Sequence, residues 1–319
     1  MVGFFLVCLA LGPATLGARI SREALNTVVA IGRSLEDGSK VWLGSGFMLA
    51  HAYRLDLQGE SRYRAFIVTN KHVIAGLDKI VVRFSPGTYG KGSGAAEISE
   101  IVLNNQGKHM WAAHPDGSVD LALIPFYPGG AAQRAGHFNM VINDPAPDPK
   151  VLGDRFVITQ KISESAAAEG EDVHVLGFPI GVLSDQLFGP ERSYPVARRG
   201  SIAWIRPALD NVNAEFLIDA FIFPGNSGGP VFKPCRSTVG QGQVETDCLI
   251  GMVKAYMPYT DSALSRQTGK VRVTFEENSG LAVVVPVESH PASNRRAFGE
   301  PMSNYFANFC TRQFLISTT

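Results

Sequence analysis

Short runs of β-branched and aromatic residues, each cut off by a glycine, aspartate or serine turn, recur along most of this chain and point to an all-β fold. In a first half they fall at Thr27 to Ile31, Val41 to Ala50, Tyr63 to Thr69, Lys79 to Phe84, Ile98 to Leu103 and Leu121 to Phe126. A second half has them at Val173 to Leu176, Arg199 to Ile205, Phe216 to Ile218, Gly229 to Phe232, Leu249 to Ala255, Val271 to Phe275 and Leu281 to Pro286. His51 to Arg62 reads as a polar hairpin insertion and Pro86 to Ala95 as a glycine-rich loop. Between the halves, Tyr127 to Ser165 is rich in Pro, Gly, Ala and Asp, the composition of a connection with some local structure. A length of 319 residues is enough for a substantial core. The 29 basic and 29 acidic residues balance, so the chain carries no electrostatic footprint for nucleic acid or an anionic membrane.

One stretch is chemically unusual: Phe223-Pro224-Gly225-Asn226-Ser227-Gly228-Gly229-Pro230, a serine set between glycines. Glycines on both sides let the backbone take conformations closed to other residues and approach a ligand closely. An exposed serine nucleophile beside an oxyanion hole requires that freedom. A serine hydroxyl is a weak nucleophile unless a histidine takes its proton, and the histidine needs a carboxylate to fix its tautomer. His72 qualifies because it ends the apolar run Ala65 to Thr69 and so sits where a buried strand emerges. Asp120 qualifies because an acid that opens the apolar strand Leu121 to Ile124 is costly to bury without a hydrogen-bonded partner.

Thr69-Asn70-Lys71-His72-Val73, Val119-Asp120-Leu121-Ala122-Leu123 and Gly225-Asn226-Ser227-Gly228-Gly229-Pro230, in the order His, Asp, Ser, resemble the three signatures of the chymotrypsin-fold serine proteases. Within that clan they are most similar to the bacterial Deg-type, or high-temperature-requirement, branch. The resemblance extends to Gly44-Ser45-Gly46-Phe47, Val175-Leu176-Gly177-Phe178-Pro179 and Ser279-Gly280-Leu281-Ala282-Val283-Val284-Val285-Pro286. It implies two antiparallel six-stranded β-barrels with a cleft between them. The N-terminal barrel, 19–130, would carry His72 and Asp120; 131–165 would connect; the C-terminal barrel, 166–290, would carry Ser227. It also implies protein or peptide substrates and an oxyanion hole from the Gly225 and Ser227 N–H groups. The primary substrate pocket would have its base at Phe221 and Ile222 and its walls around Met252 to Ala255, Lys254 among them. No acid sits at that base, which implies cleavage after apolar residues, against which Lys254 weighs. Deg-type proteases usually carry a peptide-binding PDZ module, but only about thirty residues follow Pro286, too few for one.

Residues 1–18 read as an export signal: a short apolar core, a Gly-Pro break and small residues before Arg19, although the start lacks a basic residue. Export, to a periplasm or the exterior, would place the chain in an oxidising compartment. Cys235 and Cys248 flank a Gly/Gln/Ser-rich loop and are expected to form a disulfide, leaving Cys310 unpaired. No Cys/His cluster has zinc-site spacing, and no cofactor or metal is called for. The tail 291–319 is expected to include a helix packed on the body.

Bland readings stand beside each of these. Asp116 is a rival acid in a His-Pro-Asp-Gly turn, His109 and His114 read as loop histidines, and Arg198-Arg199 as a solvated pair. The glycine-flanked serine also fits an esterase elbow, with Ser227, Asp261 and His290 in that fold's order, but such an elbow must lead into a helix and here Pro230-Val231-Phe232 follow. A non-catalytic binding protein on a protease-like fold is the other alternative.

Overall fold

A computed structural model of the chain describes residues 19–55, 61–85, 96, 98–114, 116–126, 140–143, 156–159, 167–180, 194–210, 213, 215–239 and 242–287. The expectations for residues 1–18, for the Pro86 to Ala95 loop and for the tail 291–319 lie outside these.

The first element among the described residues is a five-residue helix, α1 (Arg22–Asn26), which the strand pattern of the sequence does not announce. Ser21 starts it, its Oγ accepting from the Ala24 N–H, with Glu23 in the first turn where the helix dipole favours an acid. Five strands follow: β1 (Val28–Ser34), β2 (Lys40–Leu55), β3 (Ser61–Thr69), β4 (Lys79–Phe84) and β5 (Ile98–Val102). The helical turn α2 (Lys71–Ile74) lies between β3 and β4. A small hairpin of β6 (Asn104–Asn105) and β7 (Lys108–His109) comes next, then β8 (Ala112–Ala113) and β9 (Ala122–Phe126). The order β9-β3-β2-β1-β4-β5 is antiparallel throughout and curls into a half-barrel, with β8 outside β9.

The second unit comprises β12 (Asp172–Gly177), β13 (Val196–Trp204), the turn α3 (Arg206–Leu209), β14 (Phe216–Asp219), β15 (Pro230–Val239), β16 (Gly242–Leu264) and β17 (Val271–Pro286). It closes on itself in the order β15-β12-β13-β14-β17-β16, with β16 pairing back onto β15. The fold is therefore mostly β, a closed six-stranded barrel beside a curled six-stranded sheet, in keeping with a chymotrypsin-like double barrel. Within the connecting region, β10 (Met140–Asn143) and β11 (Phe156–Thr159) run parallel to each other and link β2 to β16, so both units belong to one sheet.

Three apolar cores explain why the strands read as continuous apolar runs. Val29, Ile31, Met48, Ile67, Val82 and Ile124 fill the concave side of the first sheet. Val173, Val175, Ile202, Phe216, Ile218 and Val231 fill the second barrel. A third core lies between the two and draws Val28, Ala30, Phe47, Phe66 and Val68 from the first unit and Leu176, Phe178, Phe232, Met252 and Val285 from the second. Alternate residues of one strand, such as Phe66 and Ile67, thus go to different cores, as the period of two requires.

The longest strands differ from their sequence signals. Val271 to Phe275 and Leu281 to Pro286 form one strand, β17, because Glu276 to Asn278, polar as they are, stay paired with β16, and a register shift takes up Ser279 and Gly280. β16 runs past its apolar segment in both directions, paired at one end with β15 and at the other with β17. Cys235 and Cys248 form the expected disulfide, with Cα atoms 5.8 Å apart. No helix among the described residues is long and apolar enough to cross a membrane.

Candidate active site

The site is assembled where β3, the start of β9 and the loop between β14 and β15 meet. β3 ends at Thr69, and Asn70, fully buried, turns the chain into α2. The Asn70 Nδ2 donates to the Asp120 carbonyl at 2.7 Å, and Lys71 Nζ donates to the Gly117 carbonyl at 2.7 Å. Together they tie the histidine turn to the segment leading into β9.

His72 and Asp120 are thereby brought face to face. The His72 ring Nδ1 lies 2.5 Å from Asp120 Oδ2, and the His72 backbone N–H donates to Oδ1 at 3.2 Å. A carboxylate accepts only, so Nδ1 carries the proton in this contact and Nε2 is left as the acceptor. The Asp120 side chain is 14% exposed and the His72 side chain 50%. Burial pushes the Asp120 carboxyl up, but the His72 side-chain hydrogen bond, its charge and the backbone N–H groups of His72 and Lys71 outweigh that and hold it below the usual carboxylate value. Asp116 lies elsewhere: its Oδ1 accepts from the N–H and the hydroxyl of Ser118, in a turn of its own. His109 stacks edge-on against Trp111, and the His114 ring meets the Asp116 backbone.

Ser227 sits in the tight loop before β15. Gly225 has φ +96°, and a Cβ there would come within 2.5 Å of the Phe178 carbonyl oxygen. Gly228 has φ +84°, and a Cβ there would lie 2.0 Å from the Ser45 carbonyl oxygen. Only glycine fits either position. Inside the loop the Asn226 side-chain oxygen accepts from the Phe223 N–H at 3.2 Å. The Gly228 N–H donates to Val253 and the Val253 N–H to Gly229, which moors the loop to β16. Neither the Gly225 nor the Ser227 N–H donates to a described group.

One residue to which the sequence reading gave no role, Ser45, holds this loop from the other unit. It lies on β2 and is fully buried. Its N–H donates to the Ser227 carbonyl at 2.8 Å, its Oγ donates to the Gly225 carbonyl at 2.7 Å, and the same Oγ accepts from the Phe178 N–H at 2.8 Å. Its own carbonyl accepts from Thr69 Oγ1 at 2.7 Å, on the strand that leads to His72. The neighbouring Gly44 marks how closely the parts meet, because a Cβ there would lie 2.8 Å from the Val73 side chain and 3.0 Å from the Ser227 carbonyl oxygen. Only its place in Gly44-Ser45-Gly46-Phe47 hinted at such a role. The structure therefore brings His72 against Asp120 and docks the Ser227 loop against the same strands. No hydrogen bond joins the Ser227 hydroxyl to the His72 ring among the described residues.

The profile of the trypsin-like peptidase domain matches residues 44–240, a span that includes His72, Asp120 and Ser227. The chain belongs to the trypsin-like peptidase family. None of the curated proteins compared matches this peptidase. Among solved structures, one titled "Structure of GrC" is similar at 12% identity, covering 83% of this chain and 92% of that one, with a TM-score of 0.41.

The residues expected around the peptidase's substrate pocket are placed unequally. Phe221 is 56% exposed and its ring lies 6.4 Å from that of Phe223. Ile222 is buried in the second barrel's core, and its carbonyl accepts from Asn278 Nδ2 at 2.6 Å. Met252 is buried in the core between the units. Lys254 Nζ meets Glu215 Oε1 at 2.6 Å. Arg198, paired in the sequence with Arg199, parts from it: its guanidinium stacks 4.9 Å over the Phe223 ring, while Arg199 grips Asp172.

Proposed function

We propose that this trypsin-like peptidase is a serine endopeptidase with Ser227 as nucleophile, His72 as general base and Asp120 as its orienting carboxylate. The observation that carries this reading is the His72 Nδ1 to Asp120 Oδ2 contact at 2.5 Å beside the clamped Ser227 loop. With Nδ1 protonated toward Asp120, the free Nε2 removes the Ser227 hydroxyl proton as Oγ attacks the substrate carbonyl. The imidazolium that forms is stabilised by a carboxylate that stays ionised, which suits the lowered affinity of Asp120 for protons. Negative charge developing on the carbonyl oxygen meets the N–H groups of Gly225 and Ser227, both without a described partner. Loss of one such donor typically raises the barrier by about 3 kcal/mol. His72 then returns the proton to the leaving amine, and water repeats the cycle on the acyl-enzyme.

A preference for apolar side chains is supported by the exposed rings of Phe221 and Phe223 and by Glu215, which offsets the charge of Lys254. The pattern of motifs favours the Deg-type branch. Export is supported by the apolar, small-residue-terminated start of the sequence and by the Cys235–Cys248 disulfide, a bond that persists in oxidising compartments. Against an esterase elbow, Ser227 leads through Gly228 and Gly229 into the strand β15 rather than a helix, and Asp261 lies exposed on the β16–β17 hairpin.

A fluorophosphonate probe tests the assignment. Wild type should label and cleave casein, and Ser227→Ala should do neither. Labelling with ester hydrolysis alone would favour the esterase, no labelling a binding module, and full proteolysis by His72→Ala would sink the mechanism.

A further inference from the structure

Beyond the barrel, β16 and β17 continue as a two-stranded ribbon whose far part pairs Asp261 with Phe275, Ser262 with Thr274, Ala263 with Val273 and Leu264 with Val271. Directly opposed residues share a face, so Ala263, Val273 and Phe275 form an apolar stretch with Asp261 beside Phe275, and Leu264 opposes Val271 beyond the register shift that follows Ala263. These apolar side chains are open to water: Leu264 is 61% exposed, Val271 58%, Val273 49% and Phe275 54%. A two-stranded ribbon on its own is marginal in water and needs a further strand or a covering surface.

The ribbon has two edges, and they differ. Just before the far part of β16, opposite Asn278, lies Pro258, which has no N–H to offer a neighbouring strand. The far part of β17, Val271-Arg272-Val273-Thr274-Phe275-Glu276-Glu277, has no proline and a strong β-forming composition. β14 covers its outer edge only from Leu281 to Val284, so Val271 to Glu277 have no strand on that side among the described residues. Such an edge is a template for another strand unless charges guard it. Here the charges are self-complementary. In an antiparallel pairing of this strand with itself about Thr274, Arg272 falls opposite Glu276 twice, and Val273 falls opposite Phe275 twice. Among the described residues Arg272 has no partner, and Glu276 accepts from the Tyr256 hydroxyl alone. Centring on Phe275 loses the charge pairing, and centring on Val273 would set opposite Glu276 only Lys270, which lies outside β17.

We infer that a second copy of this chain pairs with the outer edge of β17, antiparallel and two-fold symmetric about Thr274, to give a four-stranded sheet in which Val273 and Phe275 of the two copies meet on one face. A two-fold contact is closed, because residue i meets j and j meets i, so the pairing ends at a dimer. The inference does not depend on the proposed catalytic activity.

The full chain should sediment at twice the chain mass across the micromolar range. Arg272→Glu, which sets like charges opposite one another twice, should raise the dimer dissociation constant about tenfold, and adding Glu276→Arg should restore it. Residues at the two-fold have Cα atoms about 4.5–5.5 Å apart, within the reach of a disulfide. Thr274→Cys should therefore form a cross-linked dimer under mild oxidation, whereas Ser262→Cys on the other strand and the wild type should not. A monomeric wild type, a dimer indifferent to Arg272→Glu, or failure of Thr274→Cys to cross-link would each overturn the pairing.

Discussion

Ser45→Ala is the most informative single change, because it alters no group proposed to touch substrate. It removes an oxygen that bonds at once to the Gly225 carbonyl and the Phe178 N–H, 2.7 and 2.8 Å away at a fully buried site. Both partners would be left buried and unsatisfied, at about 1–3 kcal/mol each. Stability should therefore fall by roughly 2–6 kcal/mol, read as a lower urea midpoint with an unchanged slope. Gly225 is also the residue whose N–H is proposed to face the oxyanion, and the lost bond holds the next peptide plane, Gly225–Asn226, which pivots on the same Cα. If that donor drifts out of reach, kcat should drop by about 10²–10³ while KM changes little. The assay is steady-state cleavage of a short peptide ester and a matched amide, at a temperature where circular dichroism shows the variant folded. A folded variant with the wild-type kcat would refute the link between Ser45 and the oxyanion site and leave Ser45 a packing residue.

Four further outcomes are expected. The Asp120 carboxyl is held below its ordinary value, so its contribution to stability is present above the unfolded-chain value near pH 4 and is lost as pH falls through the folded value. The stability gap between wild type and Asp120→Asn should accordingly be largest at neutral pH and shrink in acid, and a gap that widens in acid would contradict the charge assignment. Gly228→Ala must place a Cβ 2.0 Å from the Ser45 carbonyl oxygen at φ +84°, and should cost about 3 kcal/mol or more or abolish soluble expression. Gly38→Ala, with φ +81° but open space around it, should cost only about 1 kcal/mol. Replacing Cys235 and Cys248 by serine should lower stability by about 3 kcal/mol, given their sequence separation of 13, and a reductant should reproduce the effect on wild type in thermal melts.

Where one residue's neighbours decide its fate, the sequence was readable. Phe66 and Ile67 announce a strand because both of its faces are buried. Asp120 announces a partner because an acid between Val119 and Leu121 must be compensated. Gly225 and Gly228 announce a tight turn, and each has positive φ. What stayed hidden depends on distant pairing. Glu276 to Asn278 look like a turn, and β16 is what keeps them extended. Ser45, 180 residues from Gly225, looks like any small strand residue until the two units are docked. The short strands β10 and β11 take their partners from both units, and nothing local in their sequence says so.

The core shared between the two units sets when this molecule can become competent. Its second-unit contributors include Val285, at the C-terminal end of β17, and Val287 just past it, and Asn278 of the same strand holds the carbonyl of Ile222 just ahead of the Ser227 loop. A chain still on the ribosome, with that last strand inside the exit tunnel, has His72 and Asp120 already synthesised but no finished seat for Ser227. Synthesis itself thus acts as a timer: the Ser227 loop cannot reach its docked place before β17 has been made.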